Sequence, residues 1–261
     1  MGEAAALSRM AGRLTGLALL LSLGGVAAAL IASVGAGQGA WHFRGAFTVL
    51  RYALFAAMAG GLLAIVGVLL ARRGGGRGLV RSNLLALAVA LIFVLYLGNQ
   101  IATARSVPAI HDVTTNLADL PRFDTLKVRA DNLENVPDND DPKLKVLDAE
   151  SRWKAIHRQA YGDLRPLRLN MSVPDVIARA EALARTRGWE IARADRQAGI
   201  LEATDTTFFF RFKDDVVLRA RPHPVKGGTE VDMRSISRVG GSDVGVNAKR
   251  IRAFLKDLEQ G

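Results

Sequence analysis

The chain has 261 residues, enough for one or two domains, carries a formal net charge of +10 and contains no cysteine. Disulfides, thiolate metal sites and cysteine nucleophiles are therefore excluded. The basicity is uneven: before Arg105, eight arginines stand against Glu3 alone, a net of +7, whereas the remaining 27 basic and 24 acidic residues leave only +3. Nucleic-acid binding needs a basic face on the folded part of a protein; +3 over that length does not supply one, and no nucleic-acid partner is expected.

Residues 14–34, 52–71 and 82–104 are apolar runs of about the length that crosses a bilayer as a helix. The first also resembles a signal peptide, since Arg9 and Arg13 precede it and small residues follow. Its apolar core is longer than the roughly 7–15 residues of a signal's hydrophobic region, and two more runs follow, so three spans are expected. Arg72, Arg73, Arg77 and Arg81 crowd the second connection, whereas the first has Arg44 and, at its rim, Arg51. The positive-inside rule then puts the N-terminus and second connection in the cytoplasm and everything after Ala104 outside, with Trp41, Tyr52 and Tyr96 near the outer interface. No Asp, Glu, Lys or His interrupts the runs, which argues against a transport pathway. Ala56-x-x-x-Gly60 and Ala57-x-x-x-Gly61 are small-residue pairs suited to close helix packing within this unit.

Residues 105–145 change texture, with Pro108, Pro121, Pro137 and Pro142 among many Asp and Asn. Phe123, Leu126 and Val128 suggest an arm packed along the domain that follows. Asp138-Asn139-Asp140-Asp141 lacks the sixth-position glycine (Lys143 stands there) and twelfth-position glutamate (Ala149) of a calcium loop, and reads as a solvated acidic loop.

A domain over 146–261 follows. A short helix is expected over 151–161. A clearer one runs over 174–187, with Ser172 as cap, Pro174 in the first turn, Gly188 at the exit and an apolar face of Val173, Val176, Ile177, Ala180, Leu183 and Ala184. Strands are expected over 189–194, 199–204, 206–212, 216–221 and 230–237, and a closing helix over 244–258 carries Ile251, Phe254, Leu255 and Leu258 on one face. Helix, short antiparallel strands, helix describes an α+β domain with a mostly antiparallel sheet and two main packing helices, preceded by three transmembrane helices.

Phe212-Lys213-Asp214-Asp215-Val216, then Val231-Asp232-Met233-Arg234-Ser235-Ile236-Ser237-Arg238-Val239-Gly240, Ser242-Asp243-Val244-Gly245-Val246-Asn247 and Arg250-Ile251 resemble the signature of the family called domain of unknown function 1499. His111-Asp112-Val113-Thr114-Thr115 and Leu120-Pro121-Arg122-Phe123 resemble its beginning, so the likeness covers about 110–258. It implies a membrane-tethered or exported domain of the bacterial envelope and carries no activity with it; with the arginine distribution, the expected location is the bacterial inner membrane with the C-terminal domain periplasmic or extracytoplasmic.

The strand–glycine–helix junction at 231–251 concentrates the polar residues. Backbone N–H groups at a helix start favour anions, and Arg234, Arg238, Lys249 and Arg250 are near in sequence. Arg234, Ser235, Ser237, Arg238, Ser242, Asp243, Asn247 and Arg250, with Asp215 and Asp232, are the candidate ligand residues. The competing reading is a lock, in which Asp243 caps the last helix and pairs with an arginine while Asp215 and Asp232 satisfy the others. Gly240-Gly241-Ser242-Asp243-Val244 misses G-x-S-x-G, the glycines fit neither nucleotide-binding pattern, and His42, His111, His157 and His223 lack ligand spacing. Asp214 and Asp215 are adjacent and must face opposite sides of a strand. No metal or cofactor is expected, and no catalytic residue is assigned. The expected partners are the lipid bilayer and either an envelope protein or an anionic ligand. A hydrolase or transferase using Asp215, Asp232 or Asp243 with Ser235 or Ser237 is the alternative.

Overall fold

A computed structural model describes residues 2–74, 76–134, 136–223 and 227–261, and its contacts divide the chain into two compact units. The first contains the chain up to Ala102 together with Phe208–Arg211. Its helices are α1 (Gly2–Gly37), α2 (Phe43–Arg73) and α3 (Arg77–Ser106). Each is long and apolar enough to cross a membrane, with mean hydropathy of 2.3, 2.5 and 2.2 in order.

Small residues set how these helices pack. A Cβ on Gly60 would lie 2.5 Å from Ser22 Oγ and 3.0 Å from the carbonyl oxygen of Ala18, both on α1. One on Gly61 would meet Ala90 of α3 at 3.3 Å. The two glycines thus face different neighbours, and the small-residue pairs serve packing inside the unit. Where α3 meets the others, Asn83 is fully buried and donates to Thr15 Oγ1 at 2.6 Å and to the Leu79 carbonyl at 2.9 Å.

The second unit is α+β. Its strands are β1 (Asp112–Thr114), β2 (Leu167–Leu169), β3 (Glu190–Asp195), β4 (Ile200–Thr206), β5 (Lys213–Pro222) and β6 (Thr229–Ser237). They form one antiparallel sheet in the order β1-β6-β5-β4-β3, with β2 also on β6. β1 pairs with 234–236 and β2 with 229–231, so the two short strands share one edge of β6 end to end. The helices are α4 (Pro142–Lys145), α5 (Ala149–Tyr161), α6 (Val173–Thr186) and α7 (Val246–Gln260).

α6 follows its local code: Ser172 Oγ accepts from Asp175 N, Pro174 sits in the first turn and Gly188 leaves the helix at φ +74°. Its Val176, Ile177, Ala180 and Ala184 meet Leu201, Ala203, Val216, Leu218, Val231 and Met233 of the sheet and Ile251 and Phe254 of α7 in one core. Trp189 stacks on Phe254 with ring centroids 4.9 Å apart.

The other face of the sheet is covered by the segment after β1. The Glu202 carboxylate, fully buried, accepts from the backbone N–H groups of Asp124, Thr125 and Leu126 at 2.7–3.1 Å. Asp119 reaches Arg219 and Arg221, and Arg234 donates to the Pro121 carbonyl.

Two local expectations are corrected. Residues 206–212 are not a strand: β4 runs to Thr206, β5 begins at Lys213, and these two residues pair directly, which leaves the phenylalanines between them in a hairpin tip. Thr207 N donates to the Phe212 carbonyl, Phe212 N donates to Thr207 Oγ1, and Arg211 takes φ +50°, so the alternation in sequence runs through a turn. The last helix starts at Val246 rather than 244, because Val244 (φ +56°) and Gly245 (φ +76°) are both left-handed.

Candidate functional site

The sheet divides the candidate residues between its faces. Ser235 and Ser237 of β6 point to the helix side, where they meet Asn247 and Arg250 of α7. Arg250 is nearly enclosed. Its Nη2 donates to Asp214 Oδ2 at 2.6 Å, its Nε to Asp205 Oδ2 at 2.8 Å, and its Nη1 to Ser235 Oγ and Asn247 Oδ1. Ser235 Oγ donates to Asn247 Oδ1, while Asn247 Nδ2 donates to Ser237 Oγ and to the His111 carbonyl. One guanidinium therefore joins β4, β5, β6 and α7, and Asn247 extends the junction to the segment entering β1.

Asp243 serves the helix start. Its two carboxylate oxygens accept from Gly245 N at 2.9 Å and Asn247 N at 2.7 Å. The side-chain cap lies two residues before the cap position, held by Gly245, because the left-handed turn folds Asp243 back over the first turn. Asp243 is in no ion pair among the described residues, which corrects the expectation that it pairs with an arginine. Burial pushes its pKa upward against the two backbone donors. Its carboxylate fills the anion-favouring end of α7 from within the chain. Ser242 Oγ accepts from Val244 N in the same turn.

On the opposite face lie Arg234, Arg238, Asp215 and Asp232. Arg234 forms a bidentate pair with Asp112, at 2.9 and 2.6 Å, and Asn132 donates to the same carboxylate. Arg238 forms a bidentate pair with Asp215, at 2.8 Å on both oxygens, and Thr204 Oγ1 donates to that carboxylate as well. This carboxylate raises the Arg238 pKa above the usual guanidinium value. Asp232 pairs with Arg219 and Arg221 of β5 rather than with a junction arginine. Asp214 and Asp215 do face opposite sides, and each holds an arginine.

Beside Arg238 the surface opens into a cleft of about 180 Å³ lined by Phe123, Lys127, Val128, Arg129, Asp215, Ile236, Ser237 and Arg238. Three cations face one carboxylate, and that carboxylate is already paired with Arg238. Arg129 donates to the Gly240 carbonyl at 2.7 Å and is held by Asp131. Lys127 forms no salt bridge among the described residues. Of the candidate ligand residues at and near the junction, Asp215, Ser237 and Arg238 reach this cleft and the remaining seven do not.

The hydroxyls of Ser235 and Ser237 are bonded to Asn247, and neither meets Asp215, Asp232 or Asp243 among the described residues. No group of three or more metal-ligating side chains occurs among the described residues. Asp112, Asp205 and Glu202 do not stand out along the chain, because the groups they meet lie many tens of residues away, and Arg129 reaches the junction only through the Gly240 carbonyl, 111 residues on.

The chain matches the family described as Protein of unknown function (DUF1499) over residues 112–258. It belongs to that family. The match spans more than half of the chain and takes in all six strands, the buried junction and the cleft. Comparisons with curated proteins and with solved structures gave no match. The DUF1499 region thus follows three helices able to cross a membrane, and its polar residues fall into an enclosed junction and an open cationic cleft.

Proposed function

We propose that the DUF1499 region is a non-catalytic binding module of the bacterial envelope, held outside the cytoplasmic membrane by the three helices, and that its ligand is anionic. The observation that carries this reading is the cleft beside Arg238, where Lys127, Arg129 and Arg238 outnumber the single carboxylate of Asp215. Arg238 is about 41% exposed and already oriented by Asp215, so it can add a ligand without rebuilding the site. The apolar walls of Phe123, Val128 and Ile236 lower the local dielectric around a bound anion. Four of the eight arginines before Arg105 cluster about the α2–α3 connection, against two about the α1–α2 connection, which supports a cytoplasmic location for the former and an outer location for the domain.

The test is a thermal melt of the full chain in detergent with inorganic phosphate, pyrophosphate or citrate, read against chloride at equal ionic strength. The expected result is a rise in Tm with at least one anion, lost in Lys127→Ala, whose own melting point without anion stays at the wild-type value. No anion-specific rise in the wild type, or an undiminished one in Lys127→Ala, overturns the site. A phosphatase fused at Gly261 should be active outside the cytoplasm; cytoplasmic activity overturns the topology.

A further inference from the structure

The hairpin between β4 and β5 ends in three consecutive phenylalanines, Phe208, Phe209 and Phe210. Phe208 is 86% exposed, the most exposed large apolar side chain of the described residues, and Phe209 is 40% exposed. Their rings meet edge to face with centroids 5.0 Å apart, so two aromatic side chains are presented together. An exposed pair of this kind leaves a large apolar area in water unless something covers it.

Two observations identify the cover. The tip, Phe208–Arg211, falls within the same compact unit as the apolar helices. Within that unit Phe210 meets Phe47 near the start of α2 with centroids 5.0 Å apart, and the Phe209 backbone lies beside Gly37 at the end of α1. The tip therefore sits where the α1–α2 connection turns, at the end of two helices whose outward surfaces are suited to lipid. The same end carries Trp41, 44% exposed, and Tyr52, 60% exposed. Aromatic rings are enriched at this depth of a bilayer. Arg44, Arg51 and Arg211 add cations that suit lipid phosphates.

We propose that Phe208 and Phe209 form a membrane-interface anchor, inserting their rings among the lipid headgroups and upper acyl chains of the leaflet at the α1–α2 connection. The occupant is lipid rather than a protein groove, because the tip shares its unit with the lipid-facing helices and lies at the level of their aromatic ends. The anchor is a second attachment of the DUF1499 region to the bilayer, independent of its covalent link to α3.

The chain has no cysteine, so a single introduced thiol gives a unique label. Full-length Phe208→Cys and, as an aqueous reference, Val146→Cys (Val146 is 83% exposed) would each be spin-labelled in liposomes of phosphatidylethanolamine and phosphatidylglycerol. Collision with oxygen, which concentrates in lipid, is compared with collision with a water-soluble nickel chelate. The expected result is a several-fold higher oxygen-to-nickel ratio at 208 than at 146. Equal ratios at the two sites overturn the proposal. So does a label at 208 that is immobilised and shielded from both reagents, which would mean protein cover. Phe208→Trp in a Trp41→Phe background supplies a second reading: acyl-brominated lipids should quench its added emission, and unquenched emission overturns the anchor.

Discussion

Asp214 and Asp215 are neighbours in the chain, yet the first holds Arg250 at 2.6 Å beneath the helices and the second holds Arg238 at 2.8 Å on the opposite face of the sheet. The two side chains of the Asp214–Arg250 pair are each 5% exposed, whereas Arg238 is 41% exposed. The same chemistry therefore has different consequences on the two faces.

Removing Arg250 leaves Asp205 and Asp214 without their shared cation and Asn247 Oδ1 with Ser235 Oγ as its remaining donor. Arg250→Met should destabilise the domain by about 3–5 kcal/mol, the usual consequence of breaking a buried pair from one side. Arg238→Met should cost less, about 1–3 kcal/mol, because Asp215 is itself buried but keeps the Thr204 hydroxyl as a donor and solvent reaches the guanidinium side of the pair. Urea unfolding of the full chain in detergent, followed by near-ultraviolet circular dichroism, would separate the two; equal losses would contradict the division between faces.

Glu202 fixes the covering segment through backbone donors alone. Glu202→Gln keeps the size but replaces one acceptor oxygen by an NH2 group, which cannot accept from Leu126, Thr125 or Asp124. A loss of about 1–3 kcal/mol is expected. It should be accompanied by faster amide exchange and earlier proteolytic cleavage around residues 120–130, with α6 and α7 retaining protection. Uniform loss of protection across the domain would show that the segment does not open separately.

His157 ties stability to pH. It is buried, its Nε2 accepts from Thr114 N at 3.0 Å, and burial lowers its pKa from 6.5 to about 4. The proton of the neutral ring therefore sits on Nδ1. The unfolded chain binds its proton first as pH falls, so this contribution is complete above pH 6.5 and lost progressively down to pH 4. The loss reaches roughly 3 kcal/mol at the acid end. Denaturant unfolding at about pH 7.5, 5.5 and 4.5 should show a shallower pH slope in His157→Gln than in the wild type. Parallel slopes would remove His157 as the source.

In the helical unit, Gly60→Val should prevent α1 and α2 from approaching, since even a Cβ there meets Ser22 and the Ala18 carbonyl. Gly98→Ala, where nothing lies within 4 Å, should be silent. Cross-linking between cysteines introduced at Ala18 and Ala64, both buried in one cluster, should fall in the first variant and persist in the second.

Much of this architecture is legible in order along the chain. The cap, proline and exit glycine of α6 are local chemistry, and the apolar spacing of α7 marks its buried face without reference to other segments. The alternation that places Asp214 and Asp215 on opposite sides is equally local. Pairing across distance is what cannot be read that way. Arg234 meets Asp112 because β1 lies against β6, and Glu202 meets Leu126 because a segment 76 residues earlier crosses β4. The phenylalanine run misleads for a related reason: a strand pattern and an aromatic hairpin tip share one alternation, and only the Thr206–Lys213 register distinguishes them. The cleft is half visible in sequence, since Arg238 and Asp215 stand out while Lys127 and Arg129 belong to a segment whose seat depends on the finished sheet.

The position of β1 and β2 along one edge of β6 also governs the order of folding. Asp112 must wait for Arg234, 122 residues later in the chain, so neither short strand has its neighbour until nearly all of the domain has been synthesised. At roughly 5–20 residues per second, ribosomal elongation leaves β1 without its partner for several seconds to tens of seconds. Pairing over such separations is slow for a chain of this size. The β1 and β2 edge of the sheet is therefore completed only after β6 has been made, as the last part of the sheet to close.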